Sequence, residues 1–115
     1  MPNKANVLFD RTELIVQISA KQAMSMNIRA EDIISVTFQP TREKIGLFKT
    51  VDSEVILLKP KKMPFPIAVT KGMIECNKKA SSWETIRSSM ESFAKNNKIS
   101  IYHETDNWEP PKFDM

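Results

Sequence analysis

The chain contains little of several residue types on which many protein functions depend. Its 115 residues include one cysteine, Cys76, and one histidine, His103. A single cysteine excludes an internal disulfide and a cysteine-rich zinc site. The two glycines, Gly46 and Gly72, are too few for the glycine-rich loops that cradle phosphate groups. The remaining composition, 41% hydrophobic and 27% charged, is that of an ordinary globular chain of single-domain size.

Long hydrophobic runs are also missing from the sequence. No uncharged apolar run approaches the roughly 20 residues that a membrane-spanning helix needs, and no signal-peptide segment follows residues 1–6. We therefore expect a soluble, cytoplasmic protein. The charge is unevenly distributed: residues 1–58 are neutral, residues 59–98 carry +6 and residues 99–115 carry −3. The basic segment could attract an anionic partner, or it could be a solvated face balanced by the acidic end.

Apolar and polar residues alternate over most of residues 1–70, which is typical of strands with one buried face. The predicted buried faces are Leu14, Val16 and Ile18; Met24, Met26 and Ile28; Ile34, Val36 and Phe38; and Phe65, Ile67 and Val69. The short spacing between these strands favours an antiparallel meander. Turns are predicted at 10–12, 40–44, 50–53 and 59–62. Pro64 and Pro66 indicate that the strand around Phe65 lies at a sheet edge.

After position 80 the spacing between apolar residues changes from two to three or four positions. The apolar stripe of this segment comprises Trp83, Ile86, Met90, Phe93 and Ala94. This spacing predicts an amphipathic helix over about 82–96, and Ser81 with Glu84 fits a capping box at its start. A short strand is expected at 99–102. We predict one globular domain over residues 1–103 and an acidic C-terminal tail over 104–115, which Trp108 and Phe113 could order.

The order of these elements resembles that of a bacterial pleckstrin-homology-like domain. Segment 28–36, IRAEDIISV, is similar to the strand, acidic bend and next strand of the bacterial members. The resemblance implies two nearly orthogonal antiparallel sheets with a helix closing one end. The expected fold class is therefore α+β, with a mostly antiparallel sheet or partly open barrel closed by one C-terminal amphipathic helix. The first hairpin carries only Arg11 and Lys21, so specificity for phosphoinositides is not implied.

Few residues in the chain could carry catalysis. Cys76 lies in the segment ECNKK, which has no recognisable nucleophile signature. His103, Glu104 and Asp106 offer nitrogen and oxygen ligands, but a metal site needs three or four convergent ligands. We predict no enzymatic activity, no cofactor and no metal site. A small hydrolase or metal-dependent enzyme that uses His103 and Cys76 is the least favoured alternative.

The strongest candidate for a binding site is a short basic segment. It comprises Lys59, Lys61, Lys62, Met63 and Phe65. The three lysines could meet anionic lipid headgroups while the two apolar side chains enter the membrane interface. The alternative is a solvated turn whose lysines protect an edge strand from aggregation. Nucleic-acid binding is disfavoured, because the chain has one tyrosine and no arginine cluster.

Together these observations predict a non-enzymatic interaction module. Its partner would be another protein, or a second copy of the chain paired through an exposed strand edge. Peripheral binding to anionic membranes through the basic segment is the alternative hypothesis.

Overall fold

The computed structural model describes residues 3–19 and 23–111, and this part of the chain has an α+β fold. The first sheet contains β1 (Lys4–Phe9), β2 (Glu13–Ser19) and β3 (Ala23–Arg29). A 3₁₀ turn (Ala30–Asp32) leads to β4 (Ile33–Ile45), β5 (Lys49–Pro60) and β6 (Ile67–Thr70) of the second sheet. Helices α1 (Lys71–Glu75) and α2 (Trp83–Asn96) follow, and β7 (Ser100–His103) returns to the second sheet.

The first sheet is an antiparallel meander in the order β1-β2-β3. Its alternation buries Leu14 and Val16 completely, which confirms the predicted inner face of β2. On β3, by contrast, only Ile28 is buried. Met24 is 53% exposed and Met26 is half-buried, so the prediction that both fill the core was wrong for Met24. Met24 lies near the start of the edge strand of this sheet, where fewer neighbours are available to cover it.

The second sheet has the order β6-β5-β4-β7. Its pairs are antiparallel except for β7, which runs parallel to β4 after the chain has crossed over through the two helices. The two sheets do not join into a closed barrel, and α1 is a second helix beside the single one that was predicted. The five residues of α1 are too few to produce a periodic apolar stripe. Thr70 caps this helix by accepting a hydrogen bond from the Met73 amide.

The hairpin of β4 and β5 is much longer than the sequence pattern indicated. The predicted turns at 40–44 and 50–53 were wrong, because both segments continue the two strands in register. Arg42 stands opposite Asp52, and the strands turn at residues 46–48, where Gly46 adopts a φ of +68°. Pro40 lies beyond the part of β4 that pairs with β7, at the kind of edge position where strands tolerate proline.

A β-bulge changes the face of the first residues of β4. The register with β5 shifts between Ile33 and Ser35, so two residues of β4 oppose one of β5. As a result Ile33 is buried, whereas Ile34 is 46% exposed and does not share the face of Val36 and Phe38. The predicted alternation over 34–38 was therefore wrong at its first position.

Helix α2 contributes one continuous stripe to the core. The five predicted apolar residues of this helix are all buried and join residues of both sheets in one hydrophobic cluster. The N-cap is Ser82, one residue later than predicted, and its hydroxyl accepts a hydrogen bond from the Thr85 amide at 3.2 Å. None of the helices in the described ranges is long and apolar enough to cross a membrane.

The acidic segment after β7 runs along β4. The Glu104 amide donates to the Phe38 carbonyl, and the Trp108 amide donates to the Pro40 carbonyl at 2.8 Å. The Thr41 hydroxyl donates to the Trp108 carbonyl at 2.7 Å. Trp108 thereby attaches this segment to the sheet, whereas Phe113, the other residue expected to order it, lies outside the described residues.

Candidate functional site

The two residues considered for catalysis occupy separate elements. Cys76 follows α1 and is exposed. His103 ends β7, where its ring stacks on the buried Phe38 ring with 5.3 Å between centroids. Within the described ranges, no three His, Cys, Asp or Glu side chains form a group that could hold a metal ion. Packing on the Phe38 ring accounts for the position of the His103 ring.

The predicted basic segment lies at the end of β5 and in the loop that joins β5 to β6. Its five residues, Lys59, Lys61, Lys62, Met63 and Phe65, are all exposed. Met63 is 47% exposed and Phe65 is 53% exposed, so the two apolar side chains are half-covered by the protein itself. The prediction that Phe65 shares a buried strand face with Ile67 and Val69 was wrong for Phe65, because β6 begins only at Ile67, after Pro66, which cannot donate a ladder hydrogen bond. The Lys61 amide donates to the Asp32 carbonyl at 2.8 Å, which fixes the start of the loop against the 3₁₀ turn.

A polar groove of about 650 Å³ runs between α2, the α1–α2 connection and β5. Glu54 occupies its centre: one carboxylate oxygen accepts from Trp83 Nε1 and the other pairs with Arg87 Nε, both at 3.4 Å. Lys71 pairs with Glu75 on the same wall at 3.7 Å. The Glu54 contacts join α2 to β5, whereas Lys71 and Glu75 pair within α1. Each of the four charges therefore has an oppositely charged partner.

Glu43 braces the β4–β5 hairpin at its base. Its carboxylate accepts hydrogen bonds from the Ser53 and Thr70 hydroxyls, both at 2.5 Å, and from the Gly72 amide at 3.0 Å. A Cβ at Gly72 would lie 2.5 Å from a Glu43 oxygen, so a larger residue there would displace this carboxylate. The network joins β4, β5, β6 and α1 at one carboxylate, so the hairpin leaves the body of the protein from a fixed base.

Three of the four outer sheet edges in the described part of the chain are short or covered. Strands β6 and β7 contain four residues each, and Pro64 and Pro66 precede β6. Beside β1 lies α1, and Asn77 Nδ2 donates to the Ala5 carbonyl at 3.2 Å. Short strands, prolines and covering elements are the usual devices that keep an edge from pairing with another chain.

Strand β3 has none of these devices among the described residues. Its seven residues pair with β2 on one side, and no strand of the described chain pairs with the other side. Five of the seven residues are exposed, and Arg29 at the end of the strand carries its only charge. We call the outer side of β3 the open edge. No described strand pairs with its outward-facing backbone N–H and C=O groups, and the Met24 side chain beside them is exposed.

The tip of the β4–β5 hairpin carries the two most exposed large apolar side chains of the described residues. Leu47 is 90% exposed and Phe48 is 99% exposed, and Ile45 beside them is 55% exposed. Lys44 and Lys49 flank these residues. We call residues 44–49 the hairpin tip.

Sequence reasoning missed the hairpin tip because it placed the turn at Pro40. The signal that could have identified the turn is Gly46, since a positive φ favours glycine and the chain has only one other. The open edge was missed for a different reason. Met24 and Met26 were assigned correctly to a strand, but alternation alone does not tell which strand lies at the edge of its sheet.

Comparisons of this chain with protein-family models, curated proteins and solved structures give no match. The open edge, the hairpin tip and the basic segment are the exposed features through which the described part of the chain could bind a partner.

Proposed function

We propose that the protein is a non-enzymatic interaction module that self-associates by pairing the open edge of β3 with the same strand of a second copy. The observation that carries this proposal is the unprotected edge of β3, with seven residues, one charge and no strand on its outer side in the described chain. Addition of a strand to such an edge is a general mode of protein recognition, in which main-chain hydrogen bonds supply the affinity.

The sequence of β3 is self-complementary in an antiparallel pairing centred on Met26. In that register Met26 lies opposite Met26 of the second copy, Met24 opposite Ile28, and Ala23 opposite Arg29. Ser25 lies opposite Asn27, so polar residues meet on the outer face and apolar residues meet on the core-facing side. No two like charges are directly opposed.

Such pairing would satisfy the backbone groups that β3 leaves open. Because alternate residues of a strand point their backbone groups outwards, a symmetric pair of seven-residue strands can form about six to eight hydrogen bonds. The pairing would also cover Met24, which is 53% exposed in the single chain. It is the twofold type of contact that is most common among soluble homo-oligomers.

Sedimentation velocity over roughly 10 μM to 1 mM protein tests this proposal. Wild-type protein is expected to shift from monomer to dimer with concentration. The variant Ser25→Lys/Asn27→Lys should remain monomeric, because each substituted lysine would face another across the pair. Both positions are exposed, so the fold should tolerate the change. Leu8→Lys, at an exposed apolar position of β1, is the matched control and should dimerise like wild type.

A charge-swap experiment tests whether residues 25 and 27 of the two copies face each other. Ser25→Glu/Asn27→Glu alone should be monomeric, but a mixture with Ser25→Lys/Asn27→Lys should form a heterodimer in which opposite charges face each other. A monomeric wild type at every concentration would contradict the proposal. Dimers that persist in the lysine variant would contradict the use of β3.

Peripheral binding to anionic membranes through the basic segment is a second candidate function. The exposure of its five residues, Lys59, Lys61, Lys62, Met63 and Phe65, supports it. This hypothesis predicts co-sedimentation with anionic vesicles that weakens with salt and is lost in Lys59→Glu/Lys61→Glu/Lys62→Glu. Unchanged binding of that variant would contradict it.

A further inference from the structure

We propose that the hairpin tip, residues 44–49, is a membrane-contact element that inserts Leu47 and Phe48 into the interface of anionic lipid bilayers. The proposal concerns a different site from the open edge and from the basic segment. The exposure, the shape and the charge of the tip support it.

Exposure distinguishes the tip from the other apolar surface of the protein. The remaining large apolar side chains that are exposed in the described chain are between 45% and 55% exposed, which is ordinary for a soluble domain. Leu47 and Phe48 are 90% and 99% exposed, and they are adjacent in the sequence. Two neighbouring bulky side chains without packing contacts indicate a surface that is covered when the protein functions.

The shape of the hairpin suits insertion into a soft interface. The flanking strand pairs end well before the tip, since β6 reaches only Val55 on β5 and β7 reaches only Phe38 on β4. Four residue pairs, from Arg42↔Asp52 to Ile45↔Lys49, therefore lie beyond the flanking strands as a two-stranded ribbon of roughly 10 Å. The Glu43 network fixes the base of this ribbon. A narrow projecting point can enter a bilayer surface without needing a complementary pocket.

The charges of the tip select an anionic surface. Arg42 is paired with Asp52 at 3.5 Å. Lys44 and Lys49 have no ion pair within the described ranges, so the tip itself carries two uncompensated positive charges. Both lysines lie immediately behind the apolar residues, at the level of the lipid headgroups when Leu47 and Phe48 are inserted.

The tip and the basic segment cannot both be at the membrane when the hairpin stands upright on it. They lie at opposite ends of β5, which spans 12 residues or roughly 37 Å. This is close to the longest dimension of the protein, 41 Å. Variants at the two ends therefore distinguish the two membrane hypotheses.

Co-sedimentation of the full chain with phosphatidylcholine vesicles, with and without phosphatidylserine, at roughly 50 and 150 mM salt tests the proposal. Wild type should bind the phosphatidylserine vesicles more strongly, and more so at low salt. Leu47→Ser/Phe48→Ser should reduce binding at least about tenfold, because burial of even one large apolar side chain in the bilayer raises the affinity about tenfold or more. Lys44→Glu/Lys49→Glu should also reduce binding by roughly tenfold or more. The matched controls at the other end of β5, Met63→Ser/Phe65→Ser and Lys61→Glu/Lys62→Glu, should bind like wild type.

A polarity-sensitive label tests insertion directly. A label on Leu47→Cys in a Cys76→Ser background should shift its emission to shorter wavelength with anionic vesicles. Wild type that fails to bind these vesicles, or tip variants that bind as well as wild type, would overturn the proposal and favour a protein partner for the tip. If only Lys44→Glu/Lys49→Glu lost vesicle binding and the label emission did not shift, insertion of the tip would be contradicted. Tip variants leave β3 intact, so they should dimerise normally whatever the vesicle result.

Discussion

The outer edges of the two sheets differ: the edge formed by β3 in the first sheet is open, whereas the edges of the second sheet are short or covered. In the second sheet, β6 and β7 are only four residues long, and the segment around Trp108 lies along β4. In the first sheet, β3 has seven residues and no partner strand on its outer side within residues 3–19 and 23–111. Both sheets contribute to the same hydrophobic core, so the difference lies in their edges: those of the second sheet are short or covered, and that of β3 is open to the pairing that we propose.

The largest effect on stability is expected at the centre of the second sheet. Leu58 on β5 is completely buried. Leu58→Ala should lower the free energy of unfolding by about 2–5 kcal/mol, because it removes apolar contacts and leaves a cavity. Met24→Ala on the open edge should change the stability of the monomer by less than about 0.5 kcal/mol. Urea unfolding at low protein concentration measures both. Equal losses in the two variants would contradict the contrast between the buried centre of β5 and the open edge.

Glu43 provides the next largest effect. Glu43→Ala should cost about 1–3 kcal/mol, because three donors lose their acceptor at the base of the hairpin. Asp52→Ala is the control: this neighbouring carboxylate is 95% exposed, and its one ion pair within residues 3–19 and 23–111 is with the exposed Arg42. Asp52→Ala should lower the free energy of unfolding by less than about 0.5 kcal/mol. The same unfolding experiment distinguishes the two residues, and a cost for Asp52→Ala as large as that of Glu43→Ala would contradict a bracing role.

A smaller effect is expected where the C-terminal segment covers β4. Thr41→Val removes the hydroxyl that donates to the Trp108 carbonyl at 2.7 Å while keeping the side-chain volume similar. The attachment should weaken by about 1 kcal/mol, so amide hydrogen exchange at Trp108 should accelerate roughly fivefold. Exchange within β1 should not change, and it serves as the internal control. An unchanged rate at Trp108 would show that backbone pairing alone holds this segment.

Local sequence patterns predicted which helices and strands exist better than they predicted where these elements end and which strands pair. The stripe from Trp83 to Ala94 defined α2, because a period of 3.6 residues is visible in a single segment. The edge position of β6 also followed from local chemistry, since proline cannot donate to a ladder.

What the sequence did not reveal depends on long-range pairing. The extension of β4 and β5 through Pro40 and Asp52 results from pairing between the strands, which overrides local turn propensity. The bulge at Ile34, the parallel pairing of β7 and the open edge of β3 likewise follow from which strands become neighbours. The Glu43 network joins residues up to 29 positions apart, and no local pattern identifies it.

Disulfide cross-linking at residue 26 is the most direct test of self-association through β3. In the proposed register the two copies of Met26 face each other, and directly opposed residues of antiparallel strands have Cα atoms about 4.5–5.5 Å apart. That separation suits a disulfide. Met26→Cys in a Cys76→Ser background should therefore form covalent dimers under mild oxidation.

Met24→Cys in the same background is the matched control for that measurement. In the proposed register residue 24 is four positions from its counterpart along the paired strand, or roughly 13 Å away, too far for a disulfide. The account predicts rapid dimer formation at residue 26 and none above background at residue 24. Equal cross-linking at the two positions, or none at residue 26 under conditions where dimers sediment, would contradict it.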